Sequence, residues 1–258
     1  DPAPMDLLNA VLRRWWLITA GILLGGLAGL VISLTIPPVY QTQAVISSGV
    51  DFVRTGRITD VEEDYMIKKV GDLIRSDEVM QSVLAAAAEQ GLQLDQQSFD
   101  EMAFLQRSFT DWLLIVRSED AGTATQIANL WADAAWQELQ EAAGHLTALN
   151  AYEAALAEQM ACRETQRSAG AGPVCTLGTF ADLDAQIQLT QAAMQEEKLA
   201  ARGLANGVLF DLTAHAEVPA KPVRFQRSML AAAGALAGLV IAAVLVFIGG
   251  VKIHRRTG

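Results

Sequence analysis

Histidine and cysteine are scarce in this sequence. Its 258 residues include 2 cysteines and 3 histidines, and His145, His215 and His254 lie far apart along the chain. No CxxC spacing of a metal site is present, and neither a G-x-x-x-x-G-K-[ST] phosphate loop nor a G-x-S-x-G nucleophile elbow occurs. These absences argue against the commonest metal, nucleotide and acyl-transfer sites. We therefore expect a protein that is not an enzyme and that needs no metal or cofactor.

Two short patterns could suggest an ion site, and both have a plainer explanation. Asp182 and Asp184 lie in a predicted helix, where residues two apart do not face the same side, so a solvated helix face explains them better than a metal site. The predicted helix that follows Asp120 has an N-terminus that could bind an anion. Asp120 itself is the better candidate to cap that terminus.

Charged residues are missing from two long segments, Trp15–Ile36 and Ser228–Val251. A bilayer core about 30 Å thick needs about 20 helical residues, so each segment is long enough to span it. The alternatives are a buried core helix or a secretory signal, whose apolar region has only about 7–15 residues. The length of both segments favours two transmembrane helices.

Basic residues flank these segments on the sides that face the chain ends: Arg13, Arg14, Lys252, Arg255 and Arg256. By the positive-inside rule both termini are cytoplasmic, and a domain of about 190 residues between the spans crosses the membrane largely regardless of its charge. We therefore divide the chain into a cytoplasmic lead-in (1–14), a transmembrane helix (15–36), a periplasmic domain (37–227), a second transmembrane helix (228–251) and a cytoplasmic tail (252–258).

The periplasmic segment has the pattern of an α+β domain. After the prolines at 37 and 38, Tyr40, Thr42, Ala44 and Ile46 alternate as in a half-buried strand. Helices are predicted from Thr59 or Asp60 to Ile74 and from Ser76 or Asp77 to Gly91, with a loop over 49–57 before them. A second strand is predicted over 112–118. The expected fold is this α+β domain with a long protruding αα-hairpin, flanked by the two transmembrane helices.

The hairpin is predicted from an unusually long helical pattern. Apolar residues keep helical spacing from Asp120 to about Ser168, which corresponds to about 70 Å. The stretch SAGAGPV then breaks the helix, and a second helix of about 180–205 returns, so the whole hairpin covers about 121–206. Cys162 and Cys175 flank the break. In an oxidising compartment such a pair is expected to form a disulfide, the alternative being two unpaired thiols.

The spans and their outer ends carry further candidate sites. Glycines recur every four residues at Gly21, Gly25 and Gly29 and at Gly234 and Gly238, which is typical of closely packed membrane helices, although glycine is common in such helices anyway. The prolines and the tyrosine where the chain meets the membrane form a candidate junction: Pro37, Pro38, Tyr40, Pro219 and Pro222. Three nearby cations could contact lipid phosphates or simply snorkel to the interface: Lys221, Arg224 and Arg227.

Three stretches together resemble one protein family. They are PPVYQTQAVI after the first span, WLLIVRSEDAGTATQIANLWADAAW with its Ala128–Asn129 pair, and VPAKPVRF before the second span. In this order they resemble the Wzz-type chain-length determinants, also called polysaccharide co-polymerases, without a cytoplasmic kinase module. The family's next proline position holds Phe225 here, and the insert between the two cysteines is not part of the family pattern.

The resemblance implies a ring of identical subunits in the inner membrane. Such a ring would regulate the chain length and export of an O-antigen, capsule or exopolysaccharide as a non-catalytic scaffold. Its implied partners are membrane lipids, a polysaccharide polymerase or export protein, and a separate cytoplasmic kinase, with no nucleic acid. The competing hypotheses are a two-span ligand-binding receptor, which the short cytoplasmic ends disfavour, an envelope scaffold unrelated to polysaccharide, and an envelope enzyme.

Overall fold

The computed structural model describes residues 15–168, 180–224 and 227–254. Arg13, Arg14, Cys175, Arg255 and Arg256 lie outside these ranges, so the predictions that involve them are not addressed by the fold. The chain divides into two compact units. The first takes the described residues up to Gln41, then 117–124 and those from Val218 onward, and the second takes 42–116 and 125–217.

Eight helices and four strands lie within the described residues. In chain order they are α1 (Trp15–Thr35), β1 (Tyr40–Val50), α2 (Phe52–Thr55), α3 (Asp60–Ile74), α4 (Asp77–Glu89), α5 (Gln96–Met102), β2 (Ala103–Ser108), β3 (Asp111–Ser118), α6 (Ala121–Ser168), α7 (Phe180–Ala200), β4 (Val208–Ala214) and α8 (Arg227–His254). The two predicted strands and the four predicted helices between the spans are all confirmed as elements. Helices α2 and α5 and strands β2 and β4 were not predicted.

Helices α1 and α8 are the apolar elements of the first unit. Both are long and apolar enough to cross a membrane. Helix α1 ends at Thr35, two residues before Pro37, because two successive prolines offer no N–H for further helical hydrogen bonds and force extended backbone. The chain then enters β1 at Tyr40.

The four strands form one sheet in the order β2-β3-β1-β4. Strands β2 and β3 are antiparallel and close a tight turn, with Ser108 opposite Asp111. Strands β1 and β4 are antiparallel, with a register shift between Val45 and Ile46. Strands β1 and β3 are antiparallel as well. The Ser47 side chain is hydrogen-bonded to Asp111 at one end, and the Gln41 side chain is hydrogen-bonded to Arg117 at the other.

Helix α3 packs on the sheet through the apolar face that its sequence predicts. The five predicted core residues are all buried: Met66, Ile67, Val70, Leu73 and Ile74. Its N-terminus has a complete capping box between Thr59 and Glu62, which satisfies two otherwise unpaired backbone N–H groups. Ser76 caps α4 by accepting from the Val79 N–H.

The segment predicted as a loop over 49–57 is not irregular throughout. Strand β1 continues to Val50, and residues 52–55 form the short helix α2. The reason is local, because the Asp51 carboxylate accepts the Val53 N–H at 2.9 Å and thereby caps one helical turn. The loop prediction was therefore wrong at its centre.

Helices α6 and α7 form the predicted antiparallel hairpin. Helix α6 has 48 residues and is therefore about 72 Å long, and it ends at Ser168 as predicted. Helix α7 ends at Ala200 rather than near residue 205, because Arg202 and Gly203 have φ values of 50° and 78°. Left-handed backbone at these positions terminates a right-handed helix.

Candidate functional site

The two apolar helices approach each other through their glycines. A Cβ atom placed on Gly25 would lie less than 3.0 Å from the Gly234 carbonyl oxygen, and one on Gly29 would lie as close to the Leu230 carbonyl oxygen. Gly21 and Gly238 are fitted against each other in the same way. A side chain at these positions would push the backbones apart. The predicted glycine faces are thus brought together within one chain.

An apolar groove of about 760 Å³ follows this helix pair. Its floor consists of the same glycines and of alanines, and Leu24, Ile32, Ile241 and Leu245 contribute to its walls. The groove belongs to the helix-packing site just described. Sequence reasoning found its glycines through their spacing, but the spacing could not say that the facing helix belongs to the same chain.

The candidate junction contains a hydrogen-bonded bridge, within the first unit, between the segment that follows α1 and the segment that precedes α8. The Val39 N–H donates to the Arg224 carbonyl at 3.3 Å, and the Val223 N–H donates to the Val39 carbonyl at 2.8 Å. Pro38 precedes this bridge on one side and Pro222 on the other. Pro38, Pro219 and Pro222 are half-buried, and Tyr40 is the first residue of β1.

The described cations of the candidate lipid site are exposed. Lys221 and Arg224 are on the surface, and within the described part of the chain no ion pair involves either of them. Arg227 is the first residue of α8. The first unit holds one more cation that sequence reasoning missed, Arg117, whose Nε donates to the Gln41 side-chain oxygen at 2.9 Å.

In the second unit, Asn129 of α6 fixes the segment that leads toward the second span. Its amide accepts the Ala216 N–H at 2.7 Å and donates to the Ala216 carbonyl at 3.2 Å. The Thr42 hydroxyl donates to the Glu217 carbonyl at 2.7 Å. Asn129 belongs to the Ala–Asn pair that carried the family resemblance, and these contacts give that pair a physical role.

The hairpin is held by polar contacts along its length. His145 lies 2.7 Å from Glu197, and Asn150 exchanges two hydrogen bonds with Asn206. Farther along, Arg163 pairs with Asp184 at 3.0 Å. This ion pair gives Asp184 a structural partner, in agreement with the interpretation that the Asp182–Asp184 pattern is part of a helix surface.

Near its base the hairpin is tied to α4 by one arginine. The Arg202 guanidinium lies 2.9 Å from Glu78 and 2.8 Å from Glu138. Burial raises the pKa of Glu138, and the Arg202 charge opposes this rise. Such a bridge holds three elements together, but it offers no open coordination position or nucleophile.

The described residues contain no metal-like cluster. Within 15–168, 180–224 and 227–254, no group of three or more His, Cys, Asp or Glu side chains converges on one point. Cys162 is 7% exposed and packs with Leu183 and Ile187 between the two helices of the hairpin. Because Cys175 lies outside the described residues, its pairing with Cys162 stays a prediction.

The comparison with protein families agrees with the resemblance. Residues 5–87 match the family described as Wzz, chain length determinant protein. A solved structure described as a full-length bacterial polysaccharide co-polymerase is similar over 98% of this chain and 99% of its own, with 9% identity and a TM-score of 0.44. Among curated proteins none matches this chain.

Proposed function

We propose that this chain, which carries a Wzz domain over residues 5–87, regulates the length and assembly of a bacterial polysaccharide without making or breaking glycosidic bonds. The observation that carries the proposal is the family match. A further feature supports it, namely two helices able to span a membrane. The polymer class is an O-antigen, capsule or exopolysaccharide.

The proposed location is the inner membrane, with both termini in the cytoplasm and 37–227 in the periplasm. The positive residues at both chain ends support this topology. The glycine faces then pack α1 against α8 inside the bilayer, where close approach of backbones is the main source of helix association. In this role the glycines pack α1 against α8 within one subunit, so these faces are not free to pack against a second subunit.

The proposed working form is a ring of identical subunits that acts with a polymerase or export protein. A separate cytoplasmic kinase is a further candidate partner. Support comes from large apolar side chains that the hairpin leaves exposed, among them Leu189 at 72% and Leu199 at 78%. A long hairpin that exposes such residues gains stability from neighbours that cover them.

We propose that the junction positions the periplasmic domain at the periplasmic surface of the inner membrane. Lys221, Arg224 and Arg227 would contact lipid phosphates there, either of ordinary phospholipid or of a lipid-linked sugar. The exposure of the first two supports this role. Reversing all three charges should shift polymer length if the contact is functional, whereas simple snorkelling of the side chains predicts an unchanged length distribution.

The Cys162–Cys175 pair is proposed to be a disulfide that closes the turn of the hairpin. A loop of about 14 residues corresponds to about 3 kcal/mol in the chain-entropy account. Alkylation of the denatured chain with and without a reductant tests the bond, and complete labelling without reductant would rule it out.

The decisive functional test is deletion of the gene in its host, followed by gel electrophoresis of the surface polysaccharide. We expect an altered distribution of chain lengths or a reduced yield, restored by the parent sequence on a plasmid. A matched control complementation uses Gln188→Ala, a substitution at an exposed position of α7, and should restore the parent distribution. An unchanged length distribution together with an unchanged yield would refute the proposed function.

A further inference from the structure

The turn between β2 and β3 presents a phenylalanine in an unfavourable backbone conformation. Phe109 has a φ of 56° and is 92% exposed. Left-handed backbone suits glycine, asparagine or aspartate, and a bulky residue in it is strained. A hairpin turn with glycine or asparagine at this position would therefore serve the fold of this chain better.

The strained turn is nevertheless held rigidly. Arg107 donates from Nε to the Phe109 carbonyl at 2.9 Å, and its guanidinium also pairs with Asp64. The same guanidinium lies over the Trp112 ring, 5.9 Å from its centre. The phenylalanine is thus displayed on a fixed support, so little conformational freedom would be lost when its ring is covered.

A second apolar surface lies at the same end of the sheet, on its opposite edge. Val53 of α2 is 94% exposed, Phe52 is 54% exposed, and Leu209 at the start of β4 is 53% exposed. Helix α2 is joined to β4 there, because the Asp51 N–H donates to the Gly207 carbonyl at 2.7 Å. We call residues 51–55 and 207–209 the α2–β4 corner.

The Phe109 turn and the α2–β4 corner lie at one level along the strands. The Ser48 N–H donates to the Thr110 carbonyl at 2.8 Å, which places the turn beside the last residues of β1. Val50 is paired with Val208 on the other side of β1. If two copies stand side by side with their sheet edges adjacent, the Phe109 turn of one copy therefore faces the α2–β4 corner of the other.

The directions of the edge strands also match. Strand β2 is antiparallel to β3, β3 is antiparallel to β1, and β1 is antiparallel to β4, so β2 and β4 run in opposite directions. Within the described residues they are the two edges of the sheet. If a second copy in the same orientation stands beside the first, β2 and the neighbour's β4 become antiparallel, the commoner and more stable pairing.

We propose that the Phe109 turn and β2 edge of one copy dock on the α2–β4 corner and β4 edge of a second copy. The contact joins two different surfaces, and a heterologous contact of this kind forms a ring when the rotation between neighbouring copies closes. The aromatic ring is the anchor, since aromatic residues are enriched where such interfaces are buried. This inference rests on the proposed oligomer and names the surfaces that form it.

The first test places benzoylphenylalanine at position 109 of the full chain in its native membrane. Illumination should give an adduct of twice the subunit mass, with the cross-link mapped by mass spectrometry to 51–55 or 207–211 of another copy. The matched control carries the same photoreactive residue at Tyr152, an aromatic position on the hairpin that is 37% exposed, and should not label the α2–β4 corner. Cross-links from position 109 that map elsewhere would overturn the proposal.

The second test compares Phe109→Gly with the parent. Because the substitution removes strain and an exposed ring, the melting temperature of the subunit should stay equal or rise. Its self-association should weaken about tenfold or more, as expected on removing an anchor residue. Association of parental strength, measured by light scattering in detergent, would overturn the proposal.

The two tests also separate this inference from the proposed function. If the chain forms rings and controls polymer length but position 109 does not cross-link to the corner, only the docking surfaces are wrong. If the purified chain is a monomer and deletion leaves the polysaccharide unchanged, both proposals fail.

Discussion

Gly71 of α3 should not tolerate even a methyl group, although it lies inside a helix where alanine is intrinsically preferred. A Cβ atom at this position would lie 2.5 Å from Cζ2 and 2.7 Å from Cζ3 of Trp112. Carbon atoms pack at about 3.5–4.0 Å, so the ring would have to move by about 1 Å. Trp112 is buried, with 8% of its surface exposed.

The two opposing effects can be compared directly. Overpacking of a core costs about 1–3 kcal/mol, and replacing glycine by alanine in a helix gains about 1 kcal/mol. An overlap of about 1 Å places the cost in the upper part of this range, about 2–3 kcal/mol, so after the gain is subtracted Gly71→Ala should lose about 1–2 kcal/mol. For a domain of this size that corresponds to a melting temperature lower by about 2–8 °C.

Gly144 of α6 is the matched control, since a Cβ atom there would meet nothing within 4 Å. Gly144→Ala should therefore gain about 1 kcal/mol and raise the melting temperature by about 2–4 °C. Thermal unfolding of the full chain in detergent, followed by circular dichroism, measures both. Adding Trp112→Phe to Gly71→Ala should recover part of the loss, because it removes the atoms that collide. If Gly71→Ala melts at or above the parent temperature, the packing argument is refuted.

Three further predictions concern the junctions of the fold. Gly25→Ala should lower thermal stability in detergent by forcing the apolar helices apart, whereas Gly26→Ala, whose Cβ would meet its nearest neighbour at 3.6 Å, should be at least as stable as the parent. Asn129→Leu loses two hydrogen bonds to the backbone and should cost about 2 kcal/mol in denaturant unfolding; a cost below the error of the measurement contradicts its positioning role. The Thr123 backbone N–H lowers the pKa of Asp120, so its stabilising effect is present above the unfolded pKa and disappears as the pH falls through the folded one. Asp120→Asn should flatten this acid part of the stability curve, and an unchanged curve would speak against the cap.

Local signals in the sequence were sufficient for most helices. The capping residues Thr59 and Ser76 and the buried face of α3 follow from residue types and spacing within a few positions, and the structure confirms them. The long helix to Ser168 was predictable because nothing in its sequence interrupts it. Helix α7 ends early because Arg202 and Gly203 have left-handed backbone. Arginine gives no sequence signal for this conformation.

Distant pairings were not predictable in this way. Strand β4 has an aspartate in its middle and becomes a strand because it pairs with β1, more than 150 positions earlier. Asn129 was singled out by resemblance alone, and its partner Ala216 is 87 positions away. The glycine spacing likewise indicated a packing face without its partner. Such contacts depend on the whole fold bringing two segments together, which no short pattern encodes.

The bridge between Val39 and Arg224 has a consequence for engineering. Because the backbone of the incoming segment is hydrogen-bonded to that of the outgoing one, everything between these two residues starts and finishes at a single point. Segments with adjacent ends tolerate transplantation and circular permutation. The segment 39–224 can therefore be transferred as one unit. A short peptide linker across the bridge would close it into a covalent circle, and its adjacent ends would also allow its insertion into a surface loop of an unrelated carrier protein.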